Sequence, residues 1–235
     1  MAATPLARTL IDLVREQASK SPQALALVSA QGRFSYAELA QRAARVAGAM
    51  RACGVRRGDS VGLLMSNRVE WLDVCLGAGS LGAVTVPFST WSTRRELEFL
   101  VQDARLALLV AASRFGDSDF EADLAALADI PGMPPPGNIW IVDGRGDWFA
   151  RYGDRLAQTV EPADLPPGEG SSAGDDALVL YTSGSTSAPK AVPLRQFALI
   201  ENGFNIGERQ GLGPQDKVLL SSPLFWALEI GRAHV

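Results

Sequence analysis

The chain has 235 residues, of which 47% are hydrophobic and 20% charged, and it carries a formal net charge of -4. This composition is that of a globular protein long enough to bury a substantial core, and it excludes extended disorder and fibrous repeats. The 22 basic and 26 acidic residues form no basic block, which argues against nucleic acid as a partner, and no segment approaches the roughly 20 apolar residues of a transmembrane span.

The N-terminal segment, residues 1–17, carries charges every few residues. It therefore lacks the uninterrupted apolar stretch of a signal peptide. We expect a cytoplasmic protein on this basis.

Helices and strands alternate from residue 35 onward. Ser35 and Glu38 form a capping-box pair before an apolar repeat that ends at Gly54, and this pattern predicts an amphipathic helix. Thr93 and Glu96 repeat the signature before a second such helix. The other predicted elements are a helix at 69–81 and strands at 61–65, 83–86, 106–111 and 139–142. The alternation predicts an α/β fold built from βαβ units around a mostly parallel sheet.

Two segments are predicted to have no regular secondary structure. The prolines of residues 131–138 are incompatible with a helix, and residues 161–176 read as an exposed connector.

Cys53 and Cys75 each lie in an apolar helical pattern, so we expect two reduced core thiols. With a single histidine in the chain, they cannot form a metal-ligand cluster.

The segment YTSGSTSAPKAV, residues 181–192, is rich in hydroxyl groups and ends near one lysine. It follows a predicted strand at 177–180 and precedes a helical stretch near 196–210. Ligands bind at the carboxyl ends of strands in open α/β sheets, and hydroxyls, backbone N–H groups and Lys190 could surround a polyphosphate there. Gly184 would let the backbone approach the ligand. The alternative interpretation is a Ser/Thr-rich surface turn.

Two rival motifs are excluded by spacing. A Walker loop needs a second glycine and a Ser or Thr directly after the lysine, whereas Ala191 follows Lys190. A nucleophile elbow needs glycines on both sides of the serine, and neither Ser183 nor Ser185 has them.

YTSGSTSAPKAVPL resembles the phosphate-loop signature of the adenylate-forming (AMP-binding) superfamily, which includes acyl-CoA synthetases, luciferases and peptide-synthetase adenylation domains. Residues 54–110 are similar to the first βαβ segment of that family, including Asn67, Glu70 and Trp71. SSPLFWA, residues 221–227, resembles its next signature. The resemblance covers about residues 10–226.

The resemblance implies the N-terminal part of a large domain that activates a carboxylic acid with ATP and Mg²⁺ and then transfers the acyl group to a thiol, commonly coenzyme A. It implies that Thr182 is also a Mg²⁺ ligand. The catalytic residues would lie beyond residue 235. The residues that would hold the ATP phosphates are Thr182, Ser183, Gly184, Ser185, Thr186, Ser187 and Lys190.

Three positions depart from the family pattern. Ser187 and Ala191 stand where the family usually has glycine, which predicts a more rigid loop with altered ATP affinity. Trp226 stands in the place of a histidine and would shape the acyl pocket; a packed core tryptophan is the alternative.

The family's later signatures do not occur in this sequence. We therefore expect residues 1–228 to be an incomplete N-terminal AMP-binding domain, without the C-terminal domain and inactive alone. Residues 229–235, EIGRAHV, resemble the translation of a sequencing-library adapter and are expected to be an artefactual tail in which His234 has no function.

Three functional hypotheses follow. The first is an acyl-CoA synthetase-like acid–thiol ligase in the full-length parent, acting on fatty or aryl acids. The second is a nucleotide-binding or interaction module without catalysis. The third, within the same family, is a luciferase-like or peptide-synthetase adenylation role. The sequence indicates no oligomeric state.

Overall fold

The computed structural model describes residues 5–159, 170–182 and 189–225. The helices of this part of the chain are α1 (Leu10–Lys20), α2 (Tyr36–Ala52), α3 (Val69–Ser80), α4 (Arg94–Ala104), α5 (Phe120–Ala126), α6 (Tyr152–Ala157) and α7 (Gln196–Gln210). The strands are β1 (Leu25–Ser29), β2 (Gly32–Ser35), β3 (Ser60–Leu64), β4 (Val84–Pro87), β5 (Leu106–Ala112), β6 (Arg114–Phe115), β7 (Ser118–Asp119), β8 (Ile139–Val142), β9 (Ala150–Arg151), β10 (Asp176–Thr182) and β11 (Lys190–Arg195).

A seven-stranded sheet organises the structure, with the strand order β11-β10-β4-β3-β5-β8-β9. All neighbouring strands in it are parallel except the antiparallel pair β10 and β11. The pairs β1–β2 and β6–β7 form separate antiparallel hairpins. The predicted α/β class with a mostly parallel sheet is confirmed.

Alternate residues of each central strand face two different cores. In β10, Leu178 and Leu180 belong to the core that α1, α2, α3, α6 and α7 cover. Val179 and Tyr181 pack against the opposite core, which α4 and α5 cover. The strands β5 and β8 divide their side chains in the same way, and this two-sided burial explains why they read as continuous apolar runs.

The helices α2 and α4 begin where the capping signatures predict. Ser35 Oγ accepts a hydrogen bond from the Glu38 N–H, and the Glu38 carboxylate accepts one from the Ser35 N–H at 2.7 Å. Thr93 and Glu96 repeat both bonds at the start of α4. The hydrogen bond that each carboxylate accepts from the N–H of Ser35 or Thr93 lowers the pKa of Glu38 and of Glu96. The predicted starts of α2 and α4 are therefore confirmed.

The other predicted strands and the helix α3 are also confirmed, within one or two residues of their predicted ends. Residues 131–138 contain only one short 3-10 turn, at Pro136–Asn138. Of the predicted connector, residues 161–169 lie outside the described residues, and β10 already begins at Asp176.

Both cysteines are free thiols, but only one is fully buried. Burial raises the pKa of Cys75 to about 12, so this thiol is unreactive near neutral pH. Cys53 is half-buried because it forms the C-cap of α2, where the helix ends and the chain turns towards the surface.

A buried ion pair joins three of the helices. Asp73 in α3 is 1% exposed and accepts hydrogen bonds from Arg42 in α2 at 2.9 and 2.6 Å. The Tyr152 hydroxyl of α6 donates to the same carboxylate at 3.4 Å. Burial raises the pKa of Asp73, and the bonds from Arg42 oppose that effect. Because the carboxylate has these partners, its burial is tolerated.

No helix among the described residues is both long enough and apolar enough to cross a lipid bilayer.

The close packing of α3 on α2 gives a stability prediction. A Cβ added at Gly77 would lie 2.9 Å from Val46 Cγ1 and 3.2 Å from the Ala47 nitrogen, whereas at Gly79 the nearest atom, of Gln196, would be 3.8 Å away. Gly77→Ala should therefore destabilise the fold by about 1–3 kcal/mol. Gly79→Ala should leave the free energy of unfolding unchanged or raise it by up to about 1 kcal/mol, because alanine favours a helix. Urea unfolding measures both, and equal effects would contradict the prediction.

Candidate active site

Several polar and aromatic residues lie at one edge of the sheet. Parallel strands point their carboxyl ends in the same direction, and this edge is where open α/β sheets bind ligands. The described residues that follow or end these strands include Asn67 after β3, Trp91 after β4, Asp143 after β8 and Thr182 at the end of β10.

The hydroxyl-rich segment closes the hairpin between β10 and β11. Thr182 lies opposite Lys190 as the last pair of the two strands, and its hydroxyl is 3.5 Å from the Lys190 carbonyl oxygen. Both residues are exposed at the mouth of the loop. The other predicted phosphate-binding residues, Ser183, Gly184, Ser185, Thr186 and Ser187, lie outside the described residues, and so does Trp226.

The strand β11 was not predicted from the sequence. Its residues are mostly exposed and include Pro193, so no apolar alternation marks it, and proline is tolerated here because β11 is an edge strand. The helix α7 begins at Gln196, after Arg195, which pairs with Asp176 at the start of β10. The N-terminus of α7 is thus at the opposite end of the hairpin from the loop. An anion bound between Thr182 and Lys190 would therefore lie away from the N-terminus of α7.

A tyrosine at the end of β10 anchors the hairpin to α4. The Tyr181 hydroxyl donates a hydrogen bond to Asp103 Oδ2 at 2.6 Å, across a separation of 78 residues. Burial, followed by the hydrogen bond to the carboxylate, raises the pKa of Tyr181 well above its ordinary value. Nothing in the local sequence pattern identifies Asp103 as the partner, because the contact depends on how α4 packs on the sheet.

Asn67 joins two segments that the sequence singled out separately. Its Nδ2 donates to the Ser222 carbonyl oxygen at 2.8 Å, and its Oδ1 accepts from the Leu224 N–H at 2.8 Å. Phe225, which follows Leu224 in the chain, is 7% exposed, and its ring contacts the Trp91 ring edge-on with the ring centroids 5.6 Å apart. Trp91 itself is 58% exposed.

The charge of Arg68, next to Asn67, is compensated locally. Arg68 bonds to Glu70 at 3.1 Å and to Asp143 at 2.8 Å, and the bonds to Glu70 are the main cause of its raised pKa. Asp143 adopts a left-handed backbone conformation with φ 61°. By contrast, no carboxylate of the described residues forms an ion pair with Lys190.

No group of three or more His, Cys, Asp or Glu side chains in the described part of the chain could hold a metal ion.

Comparison with known protein families gives one domain match. The model of the AMP-binding enzyme family matches residues 14–233. A feruloyl-CoA synthase of Amycolatopsis sp is 32% identical over 215 residues, which are 92% of this chain and 39% of that protein. A long-chain-fatty-acid–CoA ligase of Mycobacterium tuberculosis is 30% identical over 216 residues, 91% of this chain and 40% of that protein. The chain thus spans about two fifths of the length of these relatives.

The structure is also similar to a solved one. The inhibitor-bound N-terminal domain of FACL13 from Mycobacterium tuberculosis superposes with a TM-score of 0.80 at 27% sequence identity. The similarity covers 96% of this chain and 54% of that one.

The bond between Tyr181 and Asp103 gives the second prediction. Tyr181→Phe should lower the free energy of unfolding by about 0.5–1.5 kcal/mol at pH 7, the usual worth of a hydrogen bond. Because the folded state raises the Tyr181 pKa, this contribution is fully present below the ordinary tyrosine pKa of about 10 and is lost as the pH rises through the raised value.

Urea unfolding of the wild type and of Tyr181→Phe from pH 7 to strongly alkaline pH measures this difference. The matched control is Tyr36→Phe, since the Tyr36 hydroxyl makes no hydrogen bond among the described residues. A difference that grows with pH would contradict the prediction.

Proposed function

Because the chain belongs to the AMP-binding enzyme family, we propose that it forms the N-terminal part of an ATP-dependent carboxylate–CoA ligase. The observation that carries this proposal is the β10–β11 hairpin, which presents Thr182 and Lys190 on both sides of a hydroxyl-rich segment at the carboxyl edge of the sheet, where open α/β sheets usually bind ligands. The two relatives named above, a feruloyl-CoA synthase and a long-chain-fatty-acid–CoA ligase, support the reaction class.

The proposed reaction has two steps. A carboxylate oxygen attacks the α-phosphorus of ATP, and the bond to the leaving pyrophosphate breaks, which gives an acyl-adenylate. The thiol of coenzyme A, after losing its proton, then attacks the acyl carbonyl and releases AMP. The whole reaction belongs to the complete protein, of which these residues would supply the phosphate-binding part.

The proposed role of the hairpin loop is to hold the β and γ phosphates. Negative charge accumulates on pyrophosphate as it leaves, so donors already oriented towards it stabilise the transition state, and one such donor is typically worth about 3 kcal/mol. Lys190 would supply the one cation of the loop. The remaining donors would be Thr182, Ser183, Gly184, Ser185, Thr186 and Ser187.

The exposed Thr182 hydroxyl suits a hard oxygen-binding cation, which fits Mg²⁺ bound together with the phosphates. When bound, Mg²⁺ would screen the phosphate charge during attack by the carboxylate.

For the carboxylic acid substrate, we propose that Trp226 contributes to the acyl pocket. Fatty and aryl acids are both candidate substrates, in line with the names of the two relatives.

Replacing Lys190 tests the phosphate site. In the complete protein, Lys190→Met should slow acid-dependent exchange of pyrophosphate into ATP by about 100-fold, because a charged donor to the leaving group is lost. The matched control is Lys217→Met, which removes an exposed lysine from the segment that follows α7. Equal exchange rates in the two variants would refute the role of Lys190.

The wild-type protein tests the reaction class in the same assay. Exchange that depends on a fatty or aryl acid supports the ligase proposal. If the protein binds ATP but no acid of a broad panel supports pyrophosphate exchange, the ligase proposal is overturned in favour of a nucleotide-binding module without catalysis.

A further inference from the structure

Three helix ends meet at the edge of the sheet opposite the hydroxyl-rich segment. Helix α1 begins at Leu10, α3 ends at Ser80, and α7 begins at Gln196, directly after β11. The first N–H groups and the last carbonyl groups of a helix have no partner within that helix, so they need partners from elsewhere. The Gln196 side chain is buried at this junction, with only 1% of the residue exposed.

Gln196 supplies such partners with both ends of its carboxamide. Its Oε1 accepts a hydrogen bond from the Leu10 N–H at 3.0 Å, and its Nε2 donates to Ser171 Oγ at 3.2 Å. The Ser171 hydroxyl donates in turn to the Gly79 carbonyl oxygen at 2.6 Å. Because a buried amide without partners would be costly, these bonds fix the orientation of the side chain. One residue thus links the start of α1, the end of α3 and the start of α7.

Backbone hydrogen bonds hold the same end of β11. The Gln196 N–H donates to the Asp175 carbonyl oxygen at 2.9 Å, and the Phe197 N–H donates to the Ala173 carbonyl oxygen at 3.1 Å. The Asp175 carboxylate forms an ion pair with Arg57 at 2.5 Å, which ties this segment to the turn before β3. The chain is therefore fixed on both sides of the point where β11 passes into α7.

The placement of β11 depends on this fixed point more than that of its neighbour does. The strand β10 supplies side chains to both cores, whereas β11 is an edge strand of the described sheet, and five of its six residues are exposed. Besides its pairing with β10, β11 contacts a core through the half-buried Leu194, next to the junction. The other end of β11, which carries Lys190, is exposed.

We propose that Gln196 is a positioning residue for Lys190. The assignment rests on the proposed ligase function, in which Lys190 donates to the leaving pyrophosphate. The strand between them places the two residues roughly 20 Å apart, so a small rotation of β11 about the junction moves Lys190 much further than it moves Gln196. A misplacement of about 1 Å in a reacting arrangement can lower the rate about 100-fold.

A double-mutant cycle in the complete protein tests this role. Gln196→Met keeps the length of the side chain and removes both of its hydrogen-bonding groups. It should slow acid-dependent exchange of pyrophosphate into ATP by about tenfold when Lys190 is present, but by less than about twofold in the Lys190→Met background, because the group that it positions is then absent. Equal losses in both backgrounds, or no loss in either, would overturn the assignment.

Ser171→Ala provides a milder second variant, in case Gln196→Met does not fold. It removes the bonds to Gln196 Nε2 and to the Gly79 carbonyl oxygen and leaves the Leu10 bond in place. We expect exchange of pyrophosphate to slow by about threefold with Lys190 present and to change by less than about twofold without it. A loss that is independent of Lys190 would contradict the positioning role.

The matched control is Asn138→Leu. Asn138 also bridges two segments with one carboxamide, donating to the Cys53 and Ala107 carbonyl oxygens, but it lies beside β8, far from the hairpin in the strand order. Asn138→Leu should change the exchange rate by less than about twofold in either background. A loss that also disappears in the Lys190→Met background would indicate general loosening of the fold and would overturn the assignment to Gln196.

Hydrogen–deuterium exchange tests the junction in the complete protein without any requirement for activity. Gln196→Met should speed exchange of the Leu10 amide and of the amides of residues 190–195 by about tenfold or more, while Asn138→Leu should not. Unchanged exchange in residues 190–195 would overturn the positioning role even if the ligase reaction is found. Faster exchange in a protein that activates no acid would support the anchoring of β11 by Gln196 and place the failure in the proposed function.

Discussion

Burial of the sheet on both faces is the constraint on which the rest of the structure depends. Because neighbouring residues of a strand point in opposite directions, β5, β8 and β10 must supply apolar side chains to two cores at once. Helices cover each face, so polar side chains have little space along the strands. Chemistry is therefore confined to the ends of the strands, where the chain leaves the sheet.

At the carboxyl edge, contacts between distant parts of the chain assemble the candidate site. Tyr181 reaches Asp103 on α4, Asn67 reaches the backbone of residues 222–224, and the ring of Phe225 meets Trp91. Tyr181 lies near the end of β10, and Asn67 and Trp91 lie in the turns that follow β3 and β4, so each contact starts from the end of a strand of the central sheet. The rigid sheet thus positions groups that would otherwise lie on mobile surface segments, which favours an oriented binding site.

The regular elements that were predicted are those with a local physical signal. Capping boxes marked the starts of α2 and α4, and apolar runs marked β3, β5 and β8, because these strands are buried on both faces. The strand β11 escaped prediction since it is an exposed edge, and the short helices α5 and α6 offer too few residues for a clear period. Half-burial of Cys53 was missed because a helix pattern does not show where the last turn meets solvent.

The sequence alone determined the fold class, the resemblance to the AMP-binding enzymes and the residue types of the loop, because periodicity and a contiguous motif are local properties of the chain. Only the tertiary structure decided that the loop closes an antiparallel hairpin, with Thr182 opposite Lys190, and that Asn67 bonds to Ser222 and Leu224. These contacts leave no periodic trace in the sequence, since a hydrogen bond between residues more than 150 positions apart depends on how the strands are ordered in the sheet.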